Sequence, residues 1–292
     1  MSTIDLVQEF SAQRPAMIAA AYRITGSRAD AEDVVQDAWE RWSQVEADEV
    51  HNPRGMLGVI VARLALNAVR ARARRRETYI GPWLPEPVVD DGSPEWTVLH
   101  REGLGQALDI VLSTMTPEQA TAYVLRKVLD LEYIEIARVL DVSIVAARQH
   151  VSRAQRAVSA ALPDLPRIRA QRDQRALSAL VEAVISADAV RVAALLAPDS
   201  VFYSDGGGAV SAARRPVHGA ERIARLLIGL ADQPGEITVA PVTINGGPGL
   251  LIWIGGELDT TVSLRTSGEG ITGLYLVRNP EKIARVVHPG SS

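Results

Sequence analysis

The spacing of apolar residues divides the chain into three parts. Over residues 1–76 glycine is rare, alanine is frequent and apolar side chains recur at helical spacing, which predicts helices. Residues 77–95 contain four prolines, which exclude a continuous helix. Helical spacing returns over 96–162. The pattern therefore predicts two helical regions joined by a proline-bearing linker.

The last part, from residue 170, has a different pattern. Two short helices (about 173–186 and 188–196) and a helix near 219–230 are predicted. Four apolar segments separated by glycines then run to the end, and they favour the strands of an antiparallel sheet. This part is expected to form a separate α+β domain.

In the first region, Ser27 is a predicted cap for a helix running to about Val45. The polar face of this helix carries Asp33, Gln36, Asp37 and Arg41. Pro53 then opens a second helix, which ends in arginines. Six arginines fall within 14 residues that contain no acid: Arg63, Arg70, Arg72, Arg74, Arg75 and Arg76. Such a stripe can neutralise phosphates, or it can be a solubilising helix end that complements the helix dipole.

The second region has the spacing of a helix-turn-helix. Thr116 and Pro117 begin a helix, a short helix spans Tyr133–Leu140, and Ser143 caps the last helix after a tight turn. The outward face of that last helix carries residues that can reach base edges and phosphates in a major groove: Arg148, Gln149, Ser152, Arg153 and Arg156. The alternative is an ordinary helical hairpin with a solvated arginine face.

Composition narrows the classes of protein. The 292 residues are 47% hydrophobic, enough for about two domains, and the net charge is −4. There is no cysteine and the five histidines are scattered, so no metal site is expected. The first residues do not read as a signal peptide, and no run approaches the ~20 apolar residues of a spanning helix. A cytoplasmic protein without a membrane partner or cofactor is expected.

Residues 21–42 and 53–76 resemble domain 2 of a bacterial RNA polymerase sigma factor of the extracytoplasmic-function group, and residues 116–156 resemble its domain 4. The segment YIGPWLPEP (79–87) is similar to the linker of the SigJ-type subgroup, which has a fused SnoaL-like (NTF2-like) C-terminal domain. Two motifs of that extra domain, DGGG and NPDKL, are matched by 205–208 and by NPEKI at 279–283. Asp141 replaces a common glycine and Asn67 a frequent aspartate.

The resemblance implies a multidomain protein. Residues 1–77 would be sigma domain 2, 78–100 the linker, 101–165 the helix-turn-helix of sigma domain 4, and 170–292 a cone-shaped α+β SnoaL-like domain. Both sigma domains would be all-α.

The resemblance also implies roles for the polar faces. Asp33, Gln36, Asp37 and Arg41 would bind the clamp helices of the core RNA polymerase β′ subunit. The −10 element of promoter DNA would be held as a non-template single strand by His51, Asn52, Arg63, Asn67, Arg70 and the arginines at 72, 74, 75 and 76. The −35 element would be read as duplex by Arg148, Gln149, Ser152, Arg153 and Arg156.

The apolar linker suggests a docking peptide, because a stiff segment loses little entropy on binding. We expect the C-terminal domain to grip Trp83, Leu84 and Pro85. The gripping residues would be Asp205, Gly206, Gly207 and Gly208, with Asn279 and Pro280 of the second motif. Tryptophan packing on its nearest helix is the alternative. Asp205 could also be an acid/base at a pocket mouth, but no partner set supports catalysis, so an enzyme is not expected. The glycine run is read as a bend.

The interpretation is a promoter-specificity factor controlled by its own C-terminal domain. Two alternatives remain: a one-component, ligand-sensing DNA-binding regulator that acts without polymerase, and a SnoaL-type enzyme with a helical appendage. An unknown small ligand in the C-terminal domain is left open.

Overall fold

A computed structural model of the chain describes residues 5–75, 79–89, 105–162, 166–232 and 235–286. These residues form two compact units. The first comprises 5–75 and 108–162, and the second comprises 79–89, 105–107 and the described residues from 166 onwards. The linker segment 79–89 thus belongs to the unit that contains the sheet.

The helices of the first unit are α1 (Leu6–Thr25), α2 (Arg28–Trp42), α3 (Pro53–Arg75), α4 (Gly105–Ser113, whose first three residues fall in the second unit), α5 (Pro117–Lys127), α6 (Tyr133–Leu140) and α7 (Ile144–Ala161). A 3₁₀ turn at Ala47–Glu49 precedes α3. Ser27 caps α2 through the amide of Asp30, as its sequence predicts, but α2 ends at Trp42 rather than near Val45. Trp42 is fully buried and donates its indole N–H to the Leu6 carbonyl oxygen, which fixes α2 against α1.

The helix-turn-helix follows its predicted bounds. Thr116 accepts a hydrogen bond from the amide of Gln119 at the start of α5, and Ser143 accepts one from Ala146 at the start of α7. Asp141 ends α6 in the left-handed conformation at φ 56°, so an aspartate fills the position where glycine is common. Ile136, Leu140 and Val151 are buried between the helices, whereas the predicted core residue Val142 is only half-buried.

Within this unit α3 packs against α5 and α6, and α1 packs against α5. Polar contacts accompany the packing. Arg70 of α3 pairs with Glu118 of α5 at 2.8 Å, and the Arg63 guanidinium donates to the Arg138 carbonyl oxygen of α6 at 2.8 Å. Arg23 and Asp109 lie 3.8 Å apart and are both buried. The two helical regions identified in the sequence therefore form one packed body.

The second unit contains a sheet and four helices among its described residues. The helices are α8 (Pro166–Ile185), α9 (Ala189–Leu195), α10 (Ala220–Ala231) and α11 (Pro280–Ile283). The strands are β1 (Leu196–Asp205), β2 (Val217–His218), β3 (Ile237–Ile244), β4 (Gly247–Ile254), β5 (Glu257–Ser267) and β6 (Gly270–Val277), in the order β2-β1-β6-β5-β4-β3.

The four glycine-separated segments form the antiparallel strands β3 to β6, which confirms the prediction, but the whole sheet is mixed. Strands β3 to β6 pair antiparallel, but β1 pairs with β6 in parallel. The reason is topological: after β1 the chain passes through β2, α10 and the antiparallel strands β3 to β5 before β6 is placed beside β1 in the same direction. Helix α8 also begins at Pro166, earlier than the predicted start near 173.

Helices α8, α9 and α10 cover one face of this sheet. Their apolar residues meet inward-facing strand residues in a single core that includes Leu177, Val192, Phe202, Ile223 and Leu274. Among the described residues, no helix is long and apolar enough to cross a membrane.

Candidate functional site

The polar face of α2 is open to solvent. Its apolar residues Val35, Ala38 and Trp42 turn into the core. The opposite side presents the expected polymerase-binding residues, all exposed: Asp33, Gln36, Asp37 and Arg41. These side chains form an accessible surface of mixed charge, which is the kind that sets partner choice and association rate in protein interfaces.

The strand-tracking residues predicted on α3 differ in their surroundings. Asn67 is exposed, whereas the exposed side chains of Arg63 and Arg70 already bond to α6 and α5. The hydrogen bond from Arg70 is the main cause that lowers the pKa of Glu118, so this carboxylate stays charged beside α3. His51 and Asn52 lie in the exposed loop before α3, and Asn52 caps that helix through the amide of Gly55.

Arg72 has a structural partner set within the first unit. Its guanidinium pairs with Asp30 of α2 at 2.7 Å and donates to the Thr25 carbonyl oxygen. These bonds tie α3 to the junction of α1 and α2. The backbone of Arg74 and Arg75 completes α3, but their side chains and all of Arg76 lie outside the described residues.

The outward face of α7 is exposed to solvent. Its buried residues recur every three or four positions and turn inward: Ala147, Val151, Ala154 and Val158. The five predicted DNA readers all point to solvent: Arg148, Gln149, Ser152, Arg153 and Arg156. The guanidinium of Arg148 lies over the ring of Tyr133 at 5.2 Å, so a cation–π contact orients this side chain.

A third site joins the linker to the sheet domain. The segment from Leu84 to Val89 is buried. Four side chains of the sheet domain hold it, and we call them the linker clamp: Asp205, Asn245, Asn279 and Lys282.

Asp205 is the centre of the clamp. It ends β1 and is fully buried. Its carboxylate accepts hydrogen bonds from the Tyr79 hydroxyl at 2.5 Å and the Leu84 amide at 2.9 Å. It also accepts one from the Gly207 amide at 3.0 Å and pairs with the Lys282 ammonium at 2.7 Å. The buried charge is therefore compensated by a cation and by donors from three segments of the chain.

Lys282 and Asn279, both from the second motif, complete the contact. The Lys282 ammonium donates to the Leu84 carbonyl oxygen and lies 4.1 Å from the centre of the Trp83 ring. Asn279 caps α11 and donates to the Tyr79 hydroxyl at 3.2 Å. Burial and the hydrogen bond to Asp205 together raise the pKa of Tyr79 above its ordinary value, so it remains a neutral donor.

The far end of the segment extends the sheet. Val89 forms an antiparallel bridge with Ile244 at the end of β3. The backbone N–H of Asn245 donates to the Val88 carbonyl oxygen at 2.7 Å, and its side-chain oxygen accepts a hydrogen bond from the Val88 backbone N–H at 2.6 Å. Sequence reasoning missed Asn245, Lys282 and Tyr79. An asparagine followed by glycine between two strands signals only a hairpin turn, which Asn245 also forms.

The glycine run lets the backbone approach its neighbours. A Cβ on Gly207 would lie 2.5 Å from the Asn279 side chain, and one on Gly208 would lie 3.1 Å from Ile80. Both residues have positive φ, 63° and 78°, where side chains are disfavoured. The run is thus a bend, as its composition predicts.

Comparisons with known proteins identify the two helical regions. The family models for Sigma-70 region 2 and for Sigma-70, region 4 match residues 10–75 and 106–158. The chain is 38% identical over 232 residues to the ECF RNA polymerase sigma factor SigJ of Mycobacterium tuberculosis, covering 78% of this chain and 74% of that protein. It is 25% identical over 279 residues to the probable ECF RNA polymerase sigma factor SigI of the same species, covering 93% and 92%.

The whole fold has a solved counterpart. The crystal structure of the Mycobacterium tuberculosis extracytoplasmic function sigma factor SigJ matches with a TM-score of 0.75 at 30% identity, over 96% of this chain and 99% of that chain. The match spans both helical regions and the sheet domain.

Proposed function

Because the chain belongs to the extracytoplasmic-function RNA polymerase sigma factors, we propose that it binds core RNA polymerase and directs it to promoters under the control of its own sheet domain. In this proposal the exposed face of α2 binds polymerase, the loop before α3 and α3 itself hold the −10 single strand, and α7 reads the −35 duplex. These roles rest on family membership and on the exposure of the faces.

We further propose that the docked linker keeps the factor in a form of low activity. The observation that carries this is the buried carboxylate of Asp205, which bonds to Tyr79 and Leu84 of the linker at the same time. Docking of residues 79–89 removes free chain between the two DNA-binding modules. These modules need separate placement to contact two promoter elements, so the docked linker opposes promoter engagement.

The contacts within the first unit support the same proposal. Arg63 and Arg70 are expected to track the melted strand, yet each is bonded to the helix-turn-helix module. Promoter binding would require α3 to leave α5 and α6. Release of the linker would then provide the chain length for that movement.

Run-off transcription with purified core polymerase and the protein's own upstream region tests the proposal. The full-length chain, a chain ending at Leu162 and a Trp83→Ala variant are compared. We expect transcription from the full-length chain and more from the Trp83→Ala variant, whose linker loses the contact between the Trp83 ring and the Lys282 ammonium. Binding of −35 duplex by α7 should be equal in both.

The outcomes separate the alternatives. If no form supports transcription and none binds core polymerase, a regulator that acts on duplex DNA alone would be favoured. Equal transcription by the wild-type chain and the Trp83→Ala variant would support a sigma factor but would contradict control of its activity by the linker. Loss of transcription on truncation would mean that the sheet domain is required for activity and does not restrain it.

A further inference from the structure

The sheet domain contains a large cavity that the linker clamp does not use. Its volume is about 740 Å³, and it lies between α8, α10 and the inner face of the sheet. Cavities of roughly 300–1,000 Å³ are the usual size for drug-sized ligands. The walls are apolar, and they include Leu180, Val184, Leu227, Val239, Leu250 and Ile252.

The apolar walls are incompletely covered. Val184, Leu227, Val239 and Ile252 all belong to the core of the domain, yet each is only half-buried. Apolar surface left in water costs roughly 25 cal/mol per Å². A molecule that fills the cavity would recover this free energy, which is how apolar pockets bind ligands.

One end of the cavity is polar. Asp259 and Arg278 form a two-pronged ion pair there, with distances of 3.0 and 2.8 Å, and Thr260 donates its hydroxyl to the same carboxylate. Burial raises the pKa of Asp259, but the hydrogen bonds from Arg278 and Thr260 outweigh it and hold that pKa below its ordinary value. The pair therefore stays ionised and mutually neutralised.

This end favours an uncharged ligand. A charged group placed beside a compensated ion pair would be desolvated without a new counter-ion, which is costly. A hydroxyl, carbonyl or amide group can instead bond to the outer atoms of the carboxylate or the guanidinium.

The polar end is directly connected to the linker clamp. The Arg278 guanidinium donates to the Ser211 carbonyl oxygen at 2.8 Å, beyond the glycine bend. Its backbone amide donates to the carbonyl oxygen of Asp205 at 2.8 Å. The next residue is Asn279, which bonds to Tyr79. A shift of Arg278 would thus move two clamp residues.

We propose that this cavity binds an uncharged, mainly apolar small molecule with one hydrogen-bonding group, and that its occupancy alters the docking of the linker. The proposal that a ligand binds rests on the cavity alone. Its effect on transcription rests on the proposed function, because only a linker that controls activity can transmit the signal.

Fluorescence titration of the full-length chain with N-phenyl-1-naphthylamine, an uncharged apolar probe with one N–H group, tests binding. Val239→Trp and Ile252→Trp fill the cavity from the sheet side, and we expect each to weaken probe binding at least tenfold. Val190→Trp is the control, because Val190 is 81% exposed and does not line the cavity. Unchanged thermal unfolding of the filled variants verifies that they are folded.

Two results would overturn the binding proposal. One is probe affinity that is equal in wild type and both filled variants. The other is a concentration-dependent dimer, seen by sedimentation, that loses the probe as it forms, because this would assign the cavity mouth to a second copy of the chain.

Hydrogen exchange of the linker tests the coupling. We expect saturating probe to change the exchange rates of the Leu84 and Val88 amides at least threefold, and to leave them unchanged in Val239→Trp. Equal exchange rates of these amides with and without bound probe would contradict the proposed coupling between the cavity and the linker. Neither measurement uses polymerase, so a failure here is distinguishable from a failure of the sigma-factor proposal in run-off transcription.

Discussion

A single buried carboxylate organises the contact between linker and sheet domain. Asp205 is held at the end of β1, where the chain turns through a glycine bend, and it meets donors from the linker and from α11. Release of the linker would leave Asp205 paired with Lys282 but would remove two donors at once, the Tyr79 hydroxyl and the Leu84 amide, from a buried carboxylate, which is costly. The linker is therefore expected to dock or release as a unit.

Replacing Asp205 with asparagine tests this expectation. Asp205→Asn should lower the free energy of unfolding of the sheet domain by about 3 kcal/mol, since it leaves the buried Lys282 ammonium without its anion. Amide exchange of residues 79–89 should accelerate. Asp199→Asn is the control, because Asp199 lies exposed on the same strand. Equal effects of the two substitutions would contradict the role given to Asp205.

The glycine bend offers a second test at the residue scale. Gly207→Ala should destabilise the docked linker by about 1–2 kcal/mol from the left-handed backbone alone, with further loss from the clash with Asn279. Gly268→Ala is the matched control, since a Cβ there meets nothing within 4 Å. Limited proteolysis within 79–89 reports the difference. Equal cleavage in both variants would rule out a steric role for the bend.

At the scale of elements, local sequence signals predicted the bounds of several helices closely. Serine and threonine caps, a proline at the first turn and a short polar turn fixed α5, α6 and α7 close to their predicted bounds. The parallel pairing of β1 with β6 was not predictable, because it depends on a long connection with no local signature. The glycine bend and Trp83 were visible as motifs, while Lys282 became recognisable only when α11 was placed beside the linker.

The packing of α3 on the helix-turn-helix carries its own prediction. Glu118→Gln removes the anion that holds Arg70, so affinity for a single-stranded −10 oligonucleotide should rise several-fold at low salt. Glu269→Gln makes the same charge change on an exposed turn of the sheet domain and should have no effect. Fluorescence anisotropy of the full-length chain measures both. An equal rise in oligonucleotide affinity for both variants would mean that the change in net charge, and not the release of Arg70, causes the effect.

At the scale of the whole molecule, the chain combines the two sigma-70 regions with a domain that holds the segment between them. In this account control of activity needs no separate partner protein, because the restraining surface is covalently attached. The absence of cysteine from the sequence makes the restraint directly testable. A disulfide can be introduced at one chosen place without competing thiols.

The most direct measurement is run-off transcription by a Val89→Cys/Ile244→Cys variant, assayed oxidised and reduced. Val89 of the linker and Ile244 of β3 are antiparallel bridge partners, a separation that a disulfide can span. The oxidised form, with its linker locked to the sheet, should transcribe several-fold less than the reduced form, and the single Val89→Cys variant should not respond to reductant. Equal transcription from the oxidised and reduced double variant would contradict linker control.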